Sequence, residues 1–270
     1  MIEVLKEGAL EECFEVHGVR AVITASDREL LASAAARLPP EATRCTPGSA
    51  SERFALLRED GDLYRVVSPH ETDRTCRDRE LALSLLEAEF HLHVATHAPN
   101  CIFIHAGVVV HRGLAIVVPG ASLSGKTTLV AALVRAGAVY FSDEFAFLDE
   151  DGLVHPFPQP LSVRGDGVAD TKWPVERLGG VKGSGPVPIG VIVFTTYRPE
   201  AKFNPQRLSR GQGMLALLSN TLPARDRPAD ALAVTRSAVE NAVVLGGERG
   251  EAALAVPALL AAADQRLSEG

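Results

Sequence analysis

The chain has 270 residues and a formal net charge of −7, with 27 Lys and Arg against 34 Asp and Glu. Hydrophobic residues make up 46% and charged residues 23%. That usage excludes a disordered chain and gives room for one large domain or two modest ones. The acidic balance argues against an extended nucleic-acid footprint, so no nucleic-acid partner is expected. The opening residues carry alternating charges and do not read as a signal peptide. The longest apolar stretch, between Glu251 and Asp264, is interrupted by Pro257 and falls short of the ~20 residues of a spanning helix. Cys13, Cys45, Cys76 and Cys101 are scattered without C-x-x-C spacing and read as reduced core or surface thiols. A cytoplasmic protein without a membrane partner is expected.

Residues 1–98 read as a small α/β domain. Residues 19–24 and 62–67 alternate as strands, with turns at 38–41 and 46–49. Leu81, Leu83, Leu85, Leu86, Phe90 and Leu92 predict a helix favouring one face, which Pro99 ends. His93 and His97 stand four apart on it. A zinc protease would carry glutamate where Val94 stands, so these two and His91 read as a partly exposed helix face.

Residues 99–270 read as the catalytic domain with a helical tail. Residues 102–104 and 107–110 predict two strands, Gly113 a turn, and 114–118 a fully buried strand. A glycine loop, a helix from Thr127 to about Ala136 and a strand at 138–141 follow, an order that implies parallel pairing through a right-handed crossover. Residues 182–186 read as either a lid or a plain connector, and 189–194 as a central strand. The Ala- and Leu-rich tail from about 205 predicts helices. Within it, residues 246–251 do not fit G-x-G-x-x-G and read as a turn.

The segment with the most specific chemistry is Gly120-Ala121-Ser122-Leu123-Ser124-Gly125-Lys126-Thr127-Thr128, which fits the Walker A pattern G-x-x-x-x-G-K-[ST] at every fixed position. Backbone N–H groups of such a loop surround a phosphate, helped by the positive helix start. Lys126 would reach the β- and γ-phosphates and the Thr127 hydroxyl would hold Mg²⁺. Asp143 and Glu144 follow a predicted strand, at the end where α/β sheets bind ligands. One can hold Mg²⁺ and the other take a proton, unless they form only an acidic turn. On pattern alone His105 reads as a structural histidine more readily than as a catalytic one.

Together these residues resemble the C-terminal catalytic domain of the HPr kinase/phosphorylase family. The resemblance rests on His105-Ala106-Gly107-Val108-Val109, on Gly120 to Thr127 fifteen residues after the histidine, and on Ser142-Asp143-Glu144, whose aspartate lies twenty-three after Gly120. Pro156-Phe157-Pro158-Gln159-Pro160 and Tyr197-Arg198-Pro199 fit as well, so it covers about residues 100–200. It implies an α/β fold with a P-loop kinase core of the HPr kinase and phosphoenolpyruvate-carboxykinase type. It further implies that Asp143 activates a substrate hydroxyl, that His105 tunes it, and that Glu144, in place of the regulator's aspartate, helps to hold Mg²⁺. Arg164 and Arg198 are candidates for cationic charge on the γ-phosphate, or surface arginines.

The expected function is ATP- and Mg²⁺-dependent phosphorylation of a serine-type hydroxyl on a protein or peptide. A small-molecule hydroxyl kinase of the same fold and a nucleotide-hydrolysing or nucleotide-sensing switch stand as alternatives. Members of the family often form oligomers, which leaves a homo-oligomer open.

Overall fold

The computed structural model of the chain describes residues 8–39, 41–48, 51–70, 73–99, 101–120, 124–163 and 171–269. The chain is mixed α/β and divides into two compact units, Met1–Asn100 and Cys101–Gly270. Among the described residues no helix is long and apolar enough to cross a membrane.

The first unit contains β1 (Leu10–Val16), β2 (Val19–Ala25), α1 (Arg28–Ala35), β3 (Thr43–Cys45), β4 (Glu52–Glu59), β5 (Leu63–Val67), β6 (Asp73–Cys76) and α2 (Arg79–His97). The six strands form one sheet ordered β3-β1-β2-β4-β5-β6, in which only β2 and β4 pair in parallel. Asp27 and Asp78 cap the two helices by accepting backbone N–H bonds, a role that suits their short carboxylates. On α2 the buried stripe runs through Leu83, Leu86, Phe90 and Val94, whereas Leu81 and Leu92 turn outward. The 3.6-residue period rotates those two off the face suggested by leucine spacing alone. Cys13 and Cys45, both free thiols, stand directly opposite on β1 and β3 with Sγ atoms 2.6 Å apart, a pairing that their sequence spacing does not show.

The second unit contains β7 (Cys101–His111), β8 (Leu114–Pro119), α3 (Lys126–Arg135), β9 (Val139–Ser142), β10 (Phe145–Asp149), β11 (Val154–His155), β12 (Leu161–Val163), β13 (Thr171–Trp173), β14 (Ile189–Tyr197), β15 (Gln206–Arg207), α4 (Arg210–Leu218), α5 (Pro228–Glu240), β16 (Val243–Arg249) and α6 (Ala252–Ser268). Eight strands make a mixed sheet ordered β11-β10-β7-β8-β14-β16-β15, with β9 also on β7. Side chains alternate along the central strands. Val109, Ile116, Val118, Val191 and Val193 pack with α3 and α6, while Ile104, Val108, Val117 and Ile192 pack with Leu217 of α4 and Val234 and Ala238 of α5. The unit is therefore layered helix, sheet, helix, each fully buried aliphatic side chain contributing about 1.5–3 kcal/mol.

Three expectations change. Residues 101–111 form one strand rather than two, because β10 pairs its first half and β9 its second, so the chain stays extended through His105 and Ala106. Strand β9 does not pair with β8. Both are antiparallel to β7, which lies between them, so the crossover through α3 skips one strand. Residues 243–249 are a strand in parallel register with β14, not a turn. A Cβ on Gly246 would meet Leu208 at 3.0 Å, and one on Gly247 would meet the Pro205 backbone at 3.3 Å, so these glycines admit the neighbouring chain. The start of the 182–186 segment is fixed to β9: Val181 and Gly183 exchange backbone hydrogen bonds with Tyr140 at 2.8 and 2.9 Å.

Candidate functional site

Strands β8, β14 and β16 run parallel, and their carboxyl ends share one edge of the sheet. At that edge β8 passes into the loop from Gly120 to Gly125, β14 ends at Tyr197 and β16 at Arg249. Gly125 caps α3 in the left-handed conformation (φ 82°), which suits a residue without Cβ. On its other side, the Gly120 N–H donates to the His105 carbonyl at 3.1 Å, and the Ala106 N–H donates to the Glu144 carbonyl at 3.1 Å. Two successive residues of β7 thus bind the loop and the acidic segment to one strand. Helix α3 lies close on β7, since a Cβ on Gly107 would stand 2.4 Å from Val130 Cγ2.

The side chains converge accordingly. Lys126 is buried; its Nζ donates to the Gly120 carbonyl at 2.7 Å and stands 3.4 Å from His105 Nε2. Burial lowers the lysine's pKa, opposed by the charges of Asp143 and Glu144. His105 is pushed down to about 4, by burial and then by Lys126, so it is neutral near pH 7 with its Nε2 lone pair toward the ammonium. The direct side-chain hydrogen-bond contact of His105 is therefore with Lys126.

Asp143 is 7% exposed. Its Oδ2 accepts from the Thr127 hydroxyl at 2.9 Å, while Oδ1 is buried without a well-formed hydrogen bond among the described residues. Burial raises its pKa; Thr127, Lys126 and the Ser162 backbone amide oppose the rise. Ser124 Oγ is likewise buried without a partner among the described residues. Buried polar atoms of this kind are available to bind a ligand or to act in catalysis. Glu144 follows Asp143, half-buried, and Thr128 occupies the first turn of α3.

Of the arginines singled out in the sequence, Arg198 is 69% exposed by side chain and paired with Glu248 at 2.9 Å. Arg164 lies outside the described residues, as do Ala121, Ser122 and Leu123 of the loop. A guanidinium does reach the loop, from a residue that the sequence reading passed over. Arg249 is 2% exposed; its Nη2 donates to the Gly125 carbonyl at 2.7 Å, its Nη1 to the Gly250 carbonyl at 3.1 Å, and its Nε to Thr195 Oγ1 at 3.4 Å. Burial lowers its pKa, and among the described residues no carboxylate forms an ion pair with it. The available signal was the apolar run Ala242-Val243-Val244-Leu245, a buried strand whose end must lie beside the loop.

No family profile matches the sequence, and no curated protein does. Among solved structures, the Hpr(Ser) kinase/phosphatase from Coxiella burnetii aligns with 62% of this chain and 99% of its own, at a TM-score of 0.39 and 15% identity. This is a distant structural likeness.

Proposed function

We propose that the second unit is an ATP-dependent phosphotransferase acting on a serine-type hydroxyl of a protein or peptide. The observation that carries this reading is the convergence of a Walker A loop with a buried aspartate whose Oδ1 has no well-formed hydrogen bond among the described residues. A site for bound phosphate needs cationic and N–H donors, and phosphoryl transfer also needs a group to receive the hydroxyl proton. Lys126 and Arg249 are the buried cations, and Asp143 is the buried acceptor.

In this reading the phosphates lie along the start of α3, with Lys126 moving its proton donors from the Gly120 carbonyl to phosphate oxygens. Divalent magnesium fits the donor set of Thr127, Asp143 and Glu144, which are hard oxygen ligands, and would offset the charge of the phosphates. Asp143 holds the acceptor hydroxyl and takes its proton as the oxygen bonds to the γ-phosphorus and the bond to the ADP oxygen breaks. Its raised pKa makes it a stronger base than an exposed aspartate. Neutral His105 accepts from Lys126 and so positions the ammonium without adding charge.

Calorimetric titration with ATP and Mg²⁺ tests the binding half of the proposal. Wild-type protein should bind one equivalent, and Lys126→Ala should bind at least about tenfold more weakly, the loss of one charge-assisted contact of 1.5–3 kcal/mol. Equal affinities would remove the nucleotide from this loop.

A further inference from the structure

The first unit holds a side-chain cluster that plays no part in the proposed phosphotransfer. His93 and His97 lie one turn apart at the end of α2, and the chain before β6 brings His70 to them. One ring nitrogen from each of the three lies within 4.8 Å of the others. His93 is buried, whereas His70 and His97 are exposed. The sequence alone gave the helical pair but not the third member, which comes from twenty-three residues earlier.

The arrangement matches what a borderline divalent cation requires. His93 Nδ1 and His70 Nε2 are 3.3 Å apart. Tetrahedral zinc with Zn–N bonds of about 2.0–2.1 Å sets its ligand nitrogens about 3.3–3.4 Å apart, so this pair already has the required spacing. The His97 Nδ1 lies 2.9 Å from the His93 carbonyl. That carbonyl can only accept, which puts the proton on Nδ1 and leaves the Nε2 lone pair for a cation. Ligating histidines are commonly oriented by this kind of backbone bond. The His93 and His97 rings stack with centroids 4.3 Å apart, which holds the two imidazoles side by side at the end of α2.

We propose that His70, His93 and His97 form a three-histidine site for a divalent transition cation of the zinc type, with a fourth position open to water. Such a site would tie the end of α2 to the segment before β6. Three neutral imidazoles favour zinc over magnesium or calcium, which prefer oxygen ligands.

The test is titration of the full chain, stripped by chelator, with Zn²⁺ in calorimetry and with Co²⁺ in visible absorption. His70→Ala and His97→Ala serve as comparisons because both rings are exposed. The proposal expects one equivalent of Zn²⁺ and a Co²⁺ spectrum with nitrogen ligation. It expects binding to weaken more than about tenfold in each variant, since losing even an outer partner of a ligand costs about that. It also expects Zn²⁺ to raise the melting temperature of wild type but not of either variant. No zinc binding by wild type, or binding insensitive to either substitution, would overturn the site. Neither result depends on nucleotide chemistry.

Discussion

Replacing Asp143 by asparagine should raise stability while removing transfer. The wild-type carboxylate is 7% exposed, and its Oδ1 has no well-formed hydrogen bond among the described residues. Leaving a buried polar atom unmet costs about 1–3 kcal/mol, and more when it is charged. An amide keeps an oxygen for the Thr127 hydroxyl and leaves a neutral rather than a charged group unmet. Lys126 loses a nearby counter-charge, which offsets part of the gain, so the net is about 1 kcal/mol. For a unit of this size that is roughly 2–4 °C in melting temperature. The sign has a pH signature. Because the folded pKa of Asp143 is raised, its ionisation destabilises the fold only as pH rises above the ordinary aspartate value of about 3.9. The gain in Asp143→Asn should therefore be present at pH 7 and vanish toward pH 3.5. Transfer should fall by roughly 10²-fold or more, the usual scale for loss of a general base. Thermal melting across pH, alongside transfer assays, reads both. A variant that melts lower than wild type at pH 7, or that keeps its transfer rate, would refute the reasoning.

The other predictions follow from single contacts. Arg249→Lys keeps a charge but loses the planar fork, and Arg249→Met loses both. ATP affinity should fall in both, by roughly 10–150-fold in the methionine variant, while folding is retained by circular dichroism. Wild-type affinity in Arg249→Met would remove the residue from the phosphate site. Protonation of His105 is opposed in the fold, so it should contribute a loss of stability as pH falls from about 6.5 to 4, and His105→Gln should flatten that limb in denaturant titrations. Cys13 and Cys45 face each other across β1 and β3, and mild oxidant should join them, seen as a two-hydrogen mass loss in one tryptic pair. Burial pushes the Cys45 thiol up to about 11, so the reaction should be slow at pH 7 and faster at pH 9.

Much of the second unit can be read from its sequence because its signals are local. The apolar run before Gly120, the glycine loop and the 3.6-residue pattern after it specify β8, the turn and α3 without outside information. The run at 189–194 forms β14, buried on both faces between β8 and β16. What was misread depends on distant neighbours. The break expected between 104 and 107 disappears because two different strands pair with β7 in succession. The glycines at 246 and 247 suggest a turn until the approach of Pro205 and Leu208 is known. Arg249 stood unnoticed because nothing local marks an arginine that will be buried against a carbonyl 124 residues earlier. The His70 contact has the same origin: a helix shows its own i, i+4 pair, but not the loop that folds onto it.

The most direct test of the central proposal is transfer of label from γ-labelled ATP, with Mg²⁺, into size-fractionated lysate, comparing wild type with Asp143→Asn. The account predicts label stable on a polypeptide fraction with wild type and absent with the variant. Label appearing only as free phosphate would contradict a kinase and point to a hydrolytic switch.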